Sequence, residues 1–238
     1  MFPIIPAASA ADSGNTNGIF YGGSTAPSVS TGVSNIVSDT GILQSDTAAV
    51  AGAAVCEQKA GCEYGADKGI HFGGVNPTTN PISITNLTSN LGVMSADVAG
   101  VAGVSARRQL FGCDFGGDKG IFAFGDTSGS PYLGMSNLVS DAGVVASDVA
   151  AVGTARESVA ACEYSGNKQK GIFFGGQQAG GVVESITNLV SNLGVIASDT
   201  AAVAGVTDIA NGAGCSYGGD KGIVGFGNDG SVCDITNL

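Results

Sequence analysis

The sequence of 238 residues predicts an all-β protein built from five copies of one unit, and three observations lead to this prediction. A Gly-Ile pair recurs five times, and each copy begins 51 residues after the previous one, at Gly18, Gly69, Gly120, Gly171 and Gly222. The 40 glycines show no Gly-X-Y period, which excludes collagen and indicates tight turns between short strands. A hydrophobic content of 43% with 12% charged residues excludes a disordered chain.

Other positions keep the same spacing. A Ser/Thr-Asn-Leu/Ile phrase, a glycine and an aspartate recur in four units, and Ile235–Leu238 is a fifth copy of the phrase. The positions are Asn35, Asn86, Asn137 and Asn188; Gly41, Gly92, Gly143 and Gly194; and Asp46, Asp97, Asp148 and Asp199. Cys162 lies two residues before the position that the 51-residue spacing gives for it. The extra residues Lys168 and Gln169 restore the spacing before the next Gly-Ile pair. The units are therefore expected to pack against one another in a fixed register.

Each unit divides into four strand-like segments bounded by glycine or polar residues. In the third unit these are strand a at 109–115, strand b at 120–124, strand c at 132–139 and strand d at 143–152. Gly116-Gly117-Asp118-Lys119 suits a tight hairpin turn with positive φ. Strand b is apolar on both faces, which predicts a sheet covered on both sides.

Four antiparallel strands in about 50 residues are typical of one β-propeller blade. Residues 1–238 are therefore expected to form a single five-bladed propeller domain. Strands a, b and c occur five times and strand d four times, so the apolar segment 2–5 is expected to close the last blade as an N-terminal strand. Proline is tolerated at such an edge position.

The phrases TNLVSNLGVIASDTAAVAG and ARRQLFGCDFGGDKGIFAFG resemble the kelch-like tandem repeats of structural and tail-associated proteins of tailed phages. The chain differs from ordinary kelch units in having no Trp and no Tyr-Asp pair in strand c. Paired glycines remain at Gly22-Gly23, Gly73-Gly74 and Gly175-Gly176. The resemblance implies a virion protein, such as a decoration, tail or fibre component, that is assembled in the host cytoplasm.

The charge balance narrows the possible partners. A net charge of −11 and a pI of about 4.2 argue against nucleic-acid binding, which needs a basic surface, and against anionic membranes. No apolar run reaches the ~18 residues that span a bilayer, and the first six residues lack the basic region of a signal peptide.

Catalytic motifs are absent from the sequence. The single histidine, His71, replaces the Phe20, Phe122 and Phe173 of other units and is expected to be a hydrogen-bonded, buried strand residue. There is no G-x-S-x-G, zinc, EF-hand or phosphate-loop motif. The repeated aspartates allow a carboxylate ring for calcium or acid–base chemistry, but acceptance of backbone N–H groups is favoured. We expect no enzyme activity, no cofactor and no metal.

The six cysteines are interpreted as free thiols. Four of them occupy strand a of different units, too far apart for disulfides, and no C-x-x-C pair exists. This pattern fits a reducing cytoplasm. A Cys56–Cys62 bridge remains an alternative.

The b–c and d–a connections vary between units and are expected to emerge on one face, where a rigid scaffold would place recognition. Unconstrained drift is the alternative. The candidate binding residues are Glu57, Lys59, Arg107, Arg108, Tyr132, Arg156, Gln177 and Asp229. The expected partners are other virion or assembly proteins or a cell-surface glycan. The alternative function is a glycan-binding five-bladed lectin, which the absence of Trp disfavours.

Overall fold

A computed structural model describes residues 17–26, 29–78, 81–128 and 131–238. All regular structure in these ranges is β-strand, and within them no helix is long and apolar enough to cross a membrane. The strands are β1 (Gly18–Tyr21), β2 (Ser24–Ala26), β3 (Val29–Ser30), β4 (Ser34–Val37), β5 (Ala60–Tyr64), β6 (Lys68–Phe72), β7 (Thr85–Thr88), β8 (Phe111–Phe115), β9 (Lys119–Ala123), β10 (Ser136–Val139), β11 (Ala160–Tyr164), β12 (Lys170–Phe174), β13 (Thr187–Val190), β14 (Ala213–Tyr217), β15 (Lys221–Gly225) and β16 (Thr236–Asn237). We number units 1 to 5 from residues 1, 52, 103, 154 and 205.

Units 2 to 5 each contain a three-stranded antiparallel sheet in the order a-b-c: β5-β6-β7, β8-β9-β10, β11-β12-β13 and β14-β15-β16. In unit 1, β1 pairs with β4 and a small hairpin joins β2 to β3. The predicted a–b hairpin is confirmed in unit 3, where Gly116 and Gly117 have φ of 62° and 85°. Strand a begins two residues later than predicted and strand b lies one residue earlier, because Gln109 and Phe124 have φ of 50° and 63° and interrupt the extended backbone.

The prediction of a regular fourth strand is wrong. In unit 3 the backbone of the segment after strand c pairs with that strand at two isolated bridges, Ser136↔Val149 and Val139↔Val145. Four residues of strand c thus face five residues of segment d, and the extra residue interrupts the ladder as a bulge does. Segment d of units 1, 2 and 4 has the same pair of bridges.

The hydrophobic core lies at the junctions between successive units. Strand a of units 2, 3 and 4 packs against strands a and b of the next unit. The space above a glycine of strand b is filled by the cysteine thiol of the preceding unit, so a Cβ at Gly171 would overlap Cys113 Sγ. The same pairing joins Cys62 to Gly120 and Cys162 to Gly222.

Aromatic rings cross the same junctions. Ring centroids are 5.3 Å apart in each of three pairs: Tyr21–His71, Phe72–Phe122 and Phe124–Phe173. One ring of each pair lies at the position of His71, and the other lies at the position of Phe72 or one residue beyond it, so a change of unit length would separate them. This contact explains why the spacing of 51 residues is retained.

A backbone ladder also links the units. The N–H of Gln109 donates to Gln58 O at 3.3 Å, that of Ser158 to Gln109 O at 3.0 Å, and that of Asn211 to Ser158 O at 2.8 Å. All four residues have φ between 50° and 58°. This left-handed backbone recurs just before strand a in units 2 to 5, and there it brings the backbone of each unit within hydrogen-bond distance of the next unit.

The stack of units is curved and is not closed among the described residues. Lys168 of unit 4 forms an ion pair with Glu63 of unit 2, although sheets packed flat at about 10 Å would separate these units by about 20 Å. In the described ranges, no strand of unit 5 packs extensively against a strand of unit 1. Phe20 is accordingly 67% exposed, whereas the equivalent Phe122 is buried. The predicted closing strand at 2–5 lies outside the described residues.

Candidate binding face

The repeated Asn–Asp pair is part of the scaffold. Asn137 Nδ2 donates to Asp148 Oδ1 at 2.8 Å, and Asp148 accepts the N–H of Ser105 at 3.1 Å and its hydroxyl at 2.5 Å. Asp97 and Asp199 accept the N–H groups of Ala54 and Thr154 in the same way. The predicted role of these aspartates as backbone acceptors is therefore confirmed.

Arg107 and Arg156, predicted as binding residues, are fully buried. Arg107 donates to Asn137 Oδ1 and to Met135 O. Arg156 donates to Asn188 Oδ1 and Gly175 O, both at 2.6 Å. These guanidinium groups therefore donate hydrogen bonds to the amide oxygens of the repeated asparagines. They also donate to backbone carbonyls at the end of strand b and before strand c. The placement of Arg107 and Arg156 on a binding surface is thus corrected.

Lys59 fills the same role in unit 2 from a different position. Cys56 occupies the place equivalent to Arg107, and Lys59, three residues later, donates to Asn86 Oδ1 at 2.5 Å. Its ammonium group also lies over the Tyr21 ring, 5.2 Å from the centroid. Burial lowers the pKa of Lys59. Its charged group therefore points into the unit rather than toward a partner.

His71 packs as an aromatic ring at the junction of units 1 and 2. It is 9% exposed, and burial lowers its pKa to about 4. The predicted burial is confirmed, whereas the expected hydrogen bonding is incomplete because Nδ1 has no partner among the described residues. The six cysteines are all free, so the alternative Cys56–Cys62 bridge is not formed.

The d–a and b–c connections lie side by side, as predicted. Beyond the ends of strands a and b, each hairpin continues through one more antiparallel pair: Glu57↔Val75, Arg108↔Asp126, Glu157↔Gln177 and Ala210↔Asn228. The backbone pairing is the same in the four units, but the side chains differ in charge and size. We call the surface formed by these pairs the variable face.

A polar cluster occupies the variable face between units 3 and 4. Arg108 binds Asp126 through Nε–Oδ1 at 2.8 Å and Nη2–Oδ2 at 3.3 Å. Tyr132 pairs with Asp126 through the backbone, and Glu157 of unit 4 lies against both. Burial, and then the neighbouring Asp126 carboxylate, raise the pKa of Glu157 above its usual range. Glu157 is therefore the carboxyl group of this cluster whose negative charge burial disfavours.

The structure thus brings Arg108, Tyr132 and Gln177 of the predicted set close together. Glu57 and Asp229 lie on units 2 and 5, where Asp229 Oδ1 accepts the N–H of Ser231 at 3.1 Å. Asp126 and Glu157 were not predicted as site residues. Extending the hairpin register outward from strands a and b would have placed Asp126 opposite Arg108.

A second polar cluster lies on the concave side, where the a strands converge. Asp114 Oδ1 accepts the N–H of Glu63 at 2.8 Å, and Lys168 Nζ lies 3.7 Å from Asp114 Oδ2. Burial raises the pKa of Asp114 to about 7, and the nearby Glu63 and Glu163 carboxylates act in the same direction. Lys168 therefore balances several carboxyl groups of successive units.

The a–b turns at the opposite end of the sheets carry exposed Asp–Lys pairs. Lys119 Nζ lies 2.6 Å from Asp118 Oδ1, and Lys221 Nζ lies 2.8 Å from Asp220 Oδ1. These are interactions between adjacent residues in solvent, as the sequence predicts.

Comparison with known proteins gave no assignment. Neither a scan against protein-family models nor a search of curated proteins matched this chain.

Proposed function

We propose that this chain is a non-enzymatic binding module that presents its variable face to another protein. The observation that carries the proposal is the combination of one backbone pairing with four different pairs of side chains. A scaffold that holds its loops in the same geometry while their chemistry changes is suited to recognition.

The proposed setting is the virion of a tailed phage, with a structural or attachment role among other virion or assembly proteins. This part rests on the resemblance of the repeat to phage tail-associated sequences. A feature of the outer edge supports contact with protein. Aliphatic side chains at one equivalent position are 55–65% exposed in four units, at Ile42, Val93, Val144 and Val195.

A closed five-bladed ring is the architecture that we propose for this module. The curvature indicated by the Glu63–Lys168 ion pair favours it. The open ends also carry matching groups. Phe226 of unit 5 and Phe20 of unit 1 occupy the positions of Phe124 and Phe173, which pack together across the junction of units 3 and 4. Both are exposed, at 60% and 67%, as expected for two halves of an unformed junction.

Particle composition tests the proposal. We expect the chain in gradient-purified virions at a defined copy number, measured by quantitative mass spectrometry. Substitution of Arg108→Glu with Tyr132→Ala on the variable face should reduce incorporation, whereas Lys119→Ala with Lys221→Ala on the a–b turns should not. Absence of the unmodified chain from virions would refute the virion setting. Equal incorporation of both variants would refute the role of the face.

A lectin is the second candidate. The cluster of Arg108, Asp126 and Tyr132 favours it, because hydrogen-bonding groups around an aromatic residue suit a hydroxylated ligand. A glycan array separates the two candidates. Saturable binding of one sugar class, lost on Tyr132→Ala, would favour the lectin over a purely structural module.

A further inference from the structure

The charged residues of the chain are separated between the two ends of its sheets. Five lysines lie in the a–b turns or at the first residue of strand b: Lys68, Lys119, Lys168, Lys170 and Lys221. In the described ranges, the d–a and b–c connections at the other end contain seven carboxyl groups: Glu57, Asp126, Glu157, Glu184, Asp208, Asp229 and Asp234. These connections also contain four cations, and the directions of their side chains decide the surface charge of this end.

Three of the four cations do not reach the surface. Arg107 and Arg156 are fully buried and donate to the repeated asparagines. Lys59 donates to the repeated asparagine of unit 2. The fourth cation, Arg108, has a side chain that is 22% exposed, and it forms two hydrogen bonds with Asp126. In the part of the chain that the structure describes, no cation at this end is therefore left to balance the other carboxyl groups.

One of these carboxyl groups has an unmet hydrogen bond. Glu157 is 7% exposed, and its Oε2 is buried with no hydrogen-bond partner among the described residues. It lies beside Asp126, whose carboxylate has the same sign and is held by Arg108. A buried carboxylate without a donor of its own and next to a second carboxylate is destabilised. A cationic donor from outside the chain would supply both the hydrogen bond and the missing positive charge.

The groups around Glu157 suit a guanidinium or ammonium group better than a metal ion or a phosphate. Among the described residues, no three His, Cys, Asp or Glu side chains are grouped so that they could hold a metal ion. Tyr132 contributes an aromatic ring and is only partly buried, and Gln177 pairs with Glu157 through the backbone and adds an amide group. Carboxylates and aromatic rings are the groups that bind arginine and lysine side chains. The carboxyl groups of this end would repel a phosphate.

We propose that the partner of the variable face is a protein with a basic surface, and that one of its arginine or lysine side chains binds the Glu157 carboxyl group beside Tyr132. This inference rests on the proposed function of the variable face. The other carboxyl groups at this end attract the basic surface during the encounter, whereas the lysines of the a–b end repel it. The separation of charge therefore directs the partner to the variable face.

N-acetylarginine amide is the probe that tests the proposal on the full chain. In a two-dimensional proton–nitrogen NMR titration we expect saturable shifts at the backbone amides of Glu157 and Gln177. N-acetylcitrulline amide has nearly the same shape and no charge, and it should bind at least about fivefold more weakly. Absence of these shifts, or equal binding of the two probes, would overturn the proposal.

Two variants locate the binding. Glu157→Gln keeps the size of the side chain and removes its charge, so it should weaken the arginine probe by a similar factor and leave the citrulline probe unchanged. Asp118→Asn removes the same charge from an exposed a–b turn and should have no effect. Circular dichroism checks that both variants fold. Equal weakening by the two variants would assign the binding to the general charge of the chain and would overturn the site.

Incorporation into virions separates this inference from the proposed function. Reduced incorporation of Glu157→Gln would support the basic partner. Normal incorporation of Glu157→Gln, with loss of the Arg108→Glu, Tyr132→Ala variant, would refute the basic partner and retain the role of the variable face. Normal incorporation of both variants would refute the proposed function itself, and this inference with it.

Discussion

At the residue scale, one structural requirement is met by different residues in different units. The amide oxygen of the repeated asparagine accepts a hydrogen bond from Arg107, from Arg156, and in unit 2 from Lys59. The lysine reaches the oxygen from three residues further along the chain. A comparison of equivalent positions therefore shows a cysteine in unit 2 where units 3 and 4 have an arginine, and it does not reveal that the three units share this hydrogen bond.

Glycine in strand b is required by its cysteine neighbour rather than by its φ angle. Gly171→Ala should reduce the free energy of unfolding by about 1–3 kcal/mol, because the new Cβ overlaps Cys113 Sγ. Urea denaturation measures the loss. The double variant with Cys113→Ala should recover part of it, since the smaller side chain leaves room. Losses that simply add in the double variant would contradict this explanation.

His71 should make stability depend on pH. The native state keeps the ring neutral down to about pH 4, whereas the unfolded chain takes up a proton below its ordinary pKa of 6.5. The unfolded state thus binds more protons in this range, so the free energy of unfolding should fall as the pH drops from 6.5 toward 4.

The variant His71→Phe tests this origin, because units 3 and 4 carry phenylalanine at the same position. Denaturation curves between pH 4 and pH 7.5 should show a shallower decline for the variant. An unchanged slope would assign the effect to other groups.

At the element scale, the hairpins follow directly from local sequence and the fourth segment does not. Glycines at 116 and 117 between two apolar runs were sufficient to predict the turn and its flanking strands. The apolar pattern of segment d reads as a strand, but it contains no signal that five of its residues face four of strand c. That mismatch arises from pairing between segments and is not visible in either one alone.

Burial of the arginines escaped prediction for a similar reason. A charged residue in a connection is normally solvated. Whether Arg107 turns inward depends on Asn137 Oδ1 and Met135 O, which lie 30 and 28 residues away in sequence. The location of the variable face was predictable because it follows from the order of strands. The residues that form its surface were predictable only in part.

The repeated Asn–Asp pair should stabilise the fold most in units where its asparagine also accepts a hydrogen bond from a buried guanidinium group. Asn137→Ala should lower the free energy of unfolding by about 3 kcal/mol, since it leaves the Arg107 guanidinium and Asp148 with unmet hydrogen bonds. Asn35→Ala is the matched control, because Asn35 binds Asp46 at the surface. Its effect should be about 1 kcal/mol or less. Equal losses in guanidinium denaturation would show that the buried cation adds nothing.

At the scale of the whole molecule, units 2 to 5 share the cysteine–glycine contact at their junctions, and in the described ranges no such contact joins unit 5 to unit 1. Cys215 of unit 5 is exposed, and Gly18 of unit 1 has open space on the side that Cys113 fills above Gly171. The aromatic pair Phe226 and Phe20 is likewise separated. A ring would join these groups by the same contacts that join the others.

The variant Gly18→Cys tests closure. In a closed ring the new thiol would lie next to Cys215, and mild oxidation should give a disulfide within one chain that speeds migration on a non-reducing gel. Adding Cys215→Ser should abolish the shift. A covalent dimer would instead assign the contact to two copies of the chain, and absence of any cross-link would contradict closure.

The fixed register of the junctions has a consequence for how the molecule can change. Each unit offers the same groups to its successor, so removing residues 52–102 as a block would bring Tyr21 against Phe122, a pairing of the same kind as Phe72–Phe122. Loss of a few residues from inside a unit would instead disrupt two neighbouring junctions. Gene rearrangements should therefore alter this protein in whole steps of 51 residues, because such steps keep the contacts between successive units.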